Sequence, residues 1–258
     1  MTDAERAAAF LAETYRRRVE RVEMHPWGEL VVTPSLPQVW DANFALVTSW
    51  TRSAEELIRE MERVQESAGF AHRKTVILDE GLAGRVWPGI RSGGFEFASR
   101  YVLMAKRRPP DREPDPDVRI LEVGKAEWAD GRRAMIELEG HGSVTEQLIE
   151  LDDRLAAVIE VRHLAALVDG EVASYAGLYL DGAIAQIEDV ATLPGYRGRG
   201  LARAIVLCAA AEARLSGAEL VFLVADEDDW PKKLYARLGF DPIGLEHVFG
   251  RSPGQHVE

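Results

Sequence analysis

The residues of this chain best placed to do chemistry lie in 197–202, Arg-Gly-Arg-Gly-Leu-Ala, where a strand pattern turns into a helical one. Ile184, Ile187 and Val190, with polar residues between them, suit a half-buried strand, and Leu193-Pro194-Gly195 stops it because proline has no amide for a ladder. Leu201, Ile205, Cys208 and Leu215 then follow a helical stripe closed by Gly217. The first amides of a helix have no intrahelical acceptor, and the helix dipole favours negative charge beside them. Gly198, Gly200 and Ala202 leave the backbone open to an approaching anion, and Arg197 and Arg199 add positive charge. The chemistry that follows is phosphate binding.

Three phosphate loops compete for such a turn. A nucleoside-triphosphate loop ends in Gly-Lys-Ser/Thr, whereas this one ends in Gly200-Leu201-Ala202; the dinucleotide fingerprint needs a small residue where Arg203 stands. What remains, Arg197-x-x-Gly200-x-Ala202, resembles the pyrophosphate loop of the GNAT superfamily of N-acetyltransferases, ligands of acetyl-coenzyme A. A second stretch carries the same resemblance. In that family a strand is followed by Asn-x-x-Ala-x-x-Leu/Phe-Tyr-x-x-x-Gly-Phe, and after the apolar run 220–224 this chain places Leu234-Tyr235 and Gly239-Phe240 in register. It departs with Asp228 for the usual Asn and Pro231 for the usual Ala. Proline is harmless at the first turn of a helix, and aspartate keeps the acceptor of asparagine but loses its donor. The resemblance covers residues 118–249.

It implies an α+β fold with a mixed sheet and an acetyl-coenzyme A cosubstrate held by Arg197, Gly198, Arg199, Gly200, Leu201 and Ala202. Val190, Ala191 and Thr192 would pair with pantetheine through the main chain, Val190 would supply the oxyanion amide, and Asp228 is a further candidate contact. Tyr235 takes the role of the acid that reprotonates the departing thiolate. A protonated amine is no nucleophile, so a base must take its proton, and the acids on the strand before the turn are Glu188 and Asp189. Regular alternation would put Glu188, Val190 and Thr192 on one face and Ile187, Asp189 and Ala191 on the other, so one acid serves each side. Glu188 is the first candidate and Asp189 the second; either could instead pair with an arginine. Cys208 falls on an apolar stripe without a nearby histidine and reads as core rather than as a nucleophile.

Bulk properties set the bounds. The 258 residues exceed one ordinary domain and suit two of about 120–130 residues. A formal charge of −12 argues against binding nucleic acid or an anionic membrane and favours a cationic acceptor such as an amine. One cysteine allows no internal disulfide, and the first 18 residues form an acid-bearing amphipathic pattern that is neither leader nor span, so the expected compartment is the cytoplasm. His25, His72, His141, His163, His247 and His256 show no metal spacing, and no metal is expected. His141 in a loop, Trp128 and Trp230 could border an acceptor pocket, although a turn residue and two packed rings are the plainer expectation.

The boundary falls in 107–117, where four prolines have only charged residues between them, giving an N-terminal half 1–106 and a C-terminal half 118–258. Helices are expected over 3–18, 53–67, 81–92, 126–138 and from 143. Strands are expected over 19–24, 29–33, 43–47, 75–78, 95–104 and 118–123, and two Asp-Gly turns, Asp169-Gly170 and Asp181-Gly182, join three more as a meander. Ser53 with Glu56 and Ser143 with Glu146 read as capping boxes. The two halves share an order of elements and read as a tandem repeat. Residues 75–95 align with the stretch ending Gly239-Phe240, so that Ile90 stands where Tyr235 does, and the turn 48–56 has no glycine but two acids, Glu55 and Glu56. The N-terminal half is therefore expected to be degenerate, as it is in tandem members of the family. The activity expected is acetyl transfer to a primary amine of a small molecule or peptide. The other reading is a non-catalytic acyl-coenzyme A sensor; the oligomeric state stays open between monomer and homodimer.

Overall fold

The computed structural model describes residues 1–93 and 97–252, so the Gly94-Phe95 end of the expected repeat and His256 lie outside the described residues. In chain order the elements are α1 (Asp3–Arg17), β1 (Arg21–His25), β2 (Gly28–Val32), β3 (Phe44–Val47), α2 (Ala54–Ser67), β4 (Arg73–Ile77), α3 (Glu80–Ser92) and β5 (Phe97–Lys106). There follow β6 (Ile120–Glu122), α4 (Lys125–Leu138), α5 (Thr145–Ala156), β7 (Glu160–Val168), β8 (Glu171–Asp181), β9 (Ile184–Thr192), α6 (Leu201–Leu215), β10 (Leu220–Asp226), α7 (Pro231–Arg237) and β11 (Phe240–Arg251). The fold is α+β, with strands paired both parallel and antiparallel. None of the described helices is long and apolar enough to cross a membrane.

Two compact units result. The N-terminal unit gathers Ala8–Val102, Asp226–Asp228 and the described residues from Gly244 on, and the C-terminal unit gathers Met1–Ala7, Leu103–Ala225 and Asp229–Ile243. In the N-terminal unit the strand order is β1-β2-β3-β4-β11, with β11 supplying His247–Arg251 against Ile77–Arg73 of β4. Alternation sorts its strands cleanly: Leu30, Val32, Ala45, Val47 and Ile77 meet α2 and α3, while Val31, Phe44, Leu46 and Val76 meet Ala12 and Tyr15 of α1. Ser53 and Glu56 form the expected capping box at the start of α2.

Two histidines are buried in that unit. His72 Nε2 donates to the Asn43 carbonyl at 2.7 Å under the stacked ring of Trp40, and His247 meets Trp87 edge-on. Burial pushes both down from the ordinary 6.5 to about 4. A histidine with a depressed folded value contributes stability above its unfolded value and loses it as pH falls. The N-terminal unit should therefore weaken between pH 6.5 and 4, by up to about 1.4 kcal/mol per pH unit for each histidine. Denaturant titrations across that range check this, and a flat profile there would contradict it.

The C-terminal unit is built on the order β10-β9-β8-β7-β6. Strands β7, β8 and β9 form the expected meander: Asp169 and Gly170 take φ of 54° and 85°, and Gly182 takes 58°. Helices α4 and α5 pack on it through Trp128, Ile136, Ile149 and Tyr175, while Leu201 of α6 joins a separate cluster with Ala166 and Ala173. The box expected at Ser143 does not form. Residues Gly142–Val144 make a 3₁₀ turn, α5 starts at Thr145 without a side-chain cap, and Glu146 is taken by Arg133 Nε at 2.9 Å. A charged donor on the neighbouring helix outcompetes a neutral amide for that carboxylate.

Candidate active site

The sheet opens where the sequence places the chemistry. Strands β9 and β10 run parallel and pair only from Ile184–Leu220 to Ile187–Leu223, yet β9 continues to Thr192 and β10 to Asp226. From Glu188 on, the β10-facing edge of β9 has no strand partner among the described residues. Main-chain donors and acceptors are left for another extended group to use.

The same stretch is bulged. Ser174 faces Thr192, Tyr175 faces Ala191 and Gly177 faces Glu188, so Asp189 and Val190 together oppose Ala176. Asp189 takes a φ of 54°, in the left-handed region that non-glycine residues enter at a cost. The extra residue resets the phase of the strand, so the alternation expected over 187–192 does not hold. Glu188 lies opposite Gly177, on the face that carries Tyr175 and Tyr179, and Asp189 is turned onto that face as well.

Asp189 is held there from two sides. Tyr179 Oη donates to its Oδ2 at 2.9 Å and Arg132 Nη2 lies 3.0 Å from its Oδ1; Arg132 Nε also reaches Asp152 Oδ2 at 3.4 Å. Burial disfavours the Arg132 charge, but Asp189 and Asp152 outweigh that cost and hold the guanidinium above its ordinary range. Burial first, and then the Asp189 charge, push the Tyr179 phenol well above 10. Arg132, Asp152 and Tyr179 were not singled out from the sequence. A signal existed: Arg132 stands four residues after Trp128 and four before Ile136, in the middle of a buried helical stripe.

The turn after β9 is exposed and open. Pro194–Tyr196 make a single 3₁₀ turn, Gly198 and Gly200 both take a φ of 79°, and the first α6 bond runs from Ala204 N to the Gly200 carbonyl at 3.1 Å. The amides of Leu201, Ala202 and Arg203 thus precede the helical ladder. Arg197 Nε donates to the Thr192 carbonyl at 3.1 Å and Arg199 Nη2 to the Gly195 carbonyl at 3.3 Å; neither pairs with a carboxylate among the described residues. Their charge is available to an anion. Arg203 turns away and donates to Asp111 Oδ1 at 2.6 Å. In the N-terminal unit the Ser53 box occupies the Ser53 and Glu56 amides at the start of α2.

Tyr235 is buried in α7 beside Phe240, and burial together with the Glu188 charge raises its phenol above the ordinary value. Glu188 itself accepts from Gln186 Nε2 on the same strand face. The structure thus brings Glu188, Asp189, Val190 and Tyr235 into one unit with the 197–202 turn. Asp228 groups with the N-terminal unit: it is exposed in the loop before α7, and its amide donates to Asp226 Oδ1 at 2.8 Å. Pro231 opens α7 at its first turn, as expected. Trp128 is packed against His163 in the core, whereas Trp230 is 62% exposed rather than buried, and His141 lies exposed in its loop. Cys208 is only half-buried, because its side of α6 faces a cavity.

The open sheet edge and the basic, glycine-rich helix entry both lie in the C-terminal half, the part of the chain in which a match to a known family falls. Residues 126–240 match the acetyltransferase (GNAT) family. A GCN5-related N-acetyltransferase from Kribbella flavida is similar in structure, with a TM-score of 0.68 at 17% identity over 100% of this chain and 98% of its own. A functionally unknown conserved protein from Staphylococcus epidermidis ATCC 12228 has a TM-score of 0.68 at 15% identity, over 90% of this chain and 93% of its own. A tandem GNAT protein from the clavulanic acid biosynthesis pathway has a TM-score of 0.55 at 14% identity, over 79% and 70%. No curated protein matches the chain.

Proposed function

We propose that this protein is an acetyl-coenzyme A dependent N-acetyltransferase acting on a primary amine of a small molecule or peptide, by direct attack in a ternary complex. The observation that carries the reading is the parting of β9 from β10 directly before the open 197–202 turn. Amides of Gly198, Gly200, Leu201 and Ala202, with Arg197 and Arg199, would hold the pyrophosphate, and Val190, Ala191 and Thr192 would align pantetheine along the unpaired edge. The Val190 amide would meet the negative charge that develops on the acyl oxygen. The chain is read as a tandem repeat, with 107–117 joining a degenerate half, 1–106, to a catalytic half, 118–258, although the compact units exchange Met1–Ala7 and the end of β11 from Gly244 across that boundary.

Of the two acids, Glu188 is the base. Both Asp189 oxygens are engaged by Tyr179 and Arg132, which suits a carboxylate that holds the strand in place rather than one that receives a proton from the substrate. Burial, and then the Glu188 charge, raise the Tyr235 phenol and keep it protonated, the form needed to reprotonate the departing thiolate.

The test is calorimetry with acetyl-coenzyme A followed by thiol release on a panel of amines. Binding with turnover supports the enzyme; binding without turnover on any amine moves the reading to a sensor; no binding removes both. Gly200→Val should weaken acetyl-coenzyme A by about tenfold or more, since a β-branched residue resists a positive φ and crowds the anion, an expected loss of about 1–2 kcal/mol. Equal affinity in wild type and variant would argue against this turn as the cradle.

A further inference from the structure

In the C-terminal unit α6 borders open space from Ala204 to Arg214. A cavity of about 690 Å³ runs between that helix and the proline-rich segment 107–117, with Val118, Leu207, Cys208 and Ala211 along its apolar side. Its volume is that of a small-molecule pocket. Two features keep it from closing. The helix presents small residues there, Ala204, Cys208 and Ala211 at one-turn spacing, so no side chain fills the space. The segment above is pinned at fixed points: Arg107 N and Arg108 N donate to the Gly239 carbonyl at 2.9 and 3.0 Å, and Asp111 N donates to the Arg237 carbonyl at 2.7 Å. Only glycine fits at 239, where any Cβ would strike the Arg108 carbonyl, and Arg203 ties the other side through Asp111 and the Arg112 carbonyl.

The rim is positive in a chain whose formal charge is −12. Four cations border the cavity against one acid, Glu113. Arg107 and Arg108 are neutralised by Asp3 and Asp241. Lys106 and Arg214 are not: Lys106 Nζ donates to the Arg108 carbonyl, Arg214 Nη1 donates to the carbonyls of Ala218 and Glu219, and neither has a carboxylate partner among the described residues. Burial, then the Arg108 charge, pull the Lys106 amine below its ordinary value, while Glu113 opposes them. A carbonyl satisfies a donor without cancelling its charge, so an anion is the missing complement.

We propose that this cavity binds a small organic anion, a carboxylate at Lys106 and Arg214 carried on an apolar chain that lies against Val118, Leu207 and Cys208. Two uncompensated cations beside an apolar wall suit one acid group on a hydrocarbon body better than a polyphosphate, which would leave the wall unused. The site is separate from the 197–202 turn, since it uses α6 from Ala204 to Arg214, and the inference does not depend on the acetyltransferase reading.

Cys208 is the chain's sole cysteine and lines the cavity, so it reports occupancy directly. The rate of its alkylation by N-ethylmaleimide on the native full chain is measured against increasing octanoate. Octanoate should slow the reaction saturably, at least fivefold; octylamine, with the same chain and the opposite charge, should not. Lys106→Gln should weaken the octanoate effect about tenfold, and Ala211→Phe, which fills the cavity, should abolish it, each variant first shown by its melting temperature to fold. Octanoate without effect on the wild type, equal protection by octylamine, or protection unchanged in Lys106→Gln would each overturn the proposal.

Discussion

Exchanging Arg132 for methionine should lower the stability of the C-terminal unit by about 3–5 kcal/mol, the usual cost of removing one partner of a largely buried ion pair. The guanidinium is 18% exposed, and the carboxylates it serves, Asp189 and Asp152, are 12% and 14% exposed. Without it, two desolvated negative charges share a low-dielectric site. Part of the loss should also appear in acetyl-coenzyme A affinity, because the left-handed Asp189 shapes the edge of β9. Urea unfolding of the single variant, and of Arg132→Met/Asp152→Asn/Asp189→Asn, separates the causes. The triple variant leaves no unpaired charge and should recover most of the stability while remaining weak in activity. A single variant as stable as wild type would mean that the three groups do not act as a clamp.

The second large effect is on rate. Glu188→Gln should reduce kcat by about 10²–10⁴-fold, the range of a positioned base, and leave acetyl-coenzyme A affinity unchanged. Its pH profile is the discriminating readout. Without a base, turnover should climb with pH as free amine becomes available, whereas the wild type levels off. Tyr235→Phe removes only the proton donor and should also lower kcat without changing affinity for the thioester. Asp189→Asn should instead act through stability. If Glu188→Gln retains full kcat with a wild-type profile, water or the substrate deprotonates the amine and the assignment of Glu188 is wrong.

How much of this could be read in the letters depends on how local each cause is. The 197–202 turn was legible because left-handed backbone demands glycine, and Gly198 and Gly200 adopt it. The Ser53 box was legible for a similar reason: its two partners lie three residues apart, and the one arginine beside them, Arg52, takes the other Glu56 oxygen at 3.5 Å and leaves Oε2 to the Ser53 amide. The identical spacing at Ser143 misled, because Arg133 on the preceding helix claims Glu146, a competition set by tertiary packing. The bulge left no mark either. Nothing in Glu188-Asp189-Val190 distinguishes a regular strand from one with an extra residue, and what decides it is a guanidinium about 57 residues upstream that only a packed helix brings close. Cys208 looked like core because its helical stripe is apolar; the space beneath 107–117 depends on anchors at Gly239 and Arg237, far along the chain.

The pairing of β11 with β4 bears on how the molecule is made. Val248 and Phe249, near the end of the described chain, complete the two apolar layers of a unit whose other clustered core residues all precede Val102. Until they emerge from the ribosome, β4 presents a bare edge, and the earlier-made body must wait for a strand made well after it.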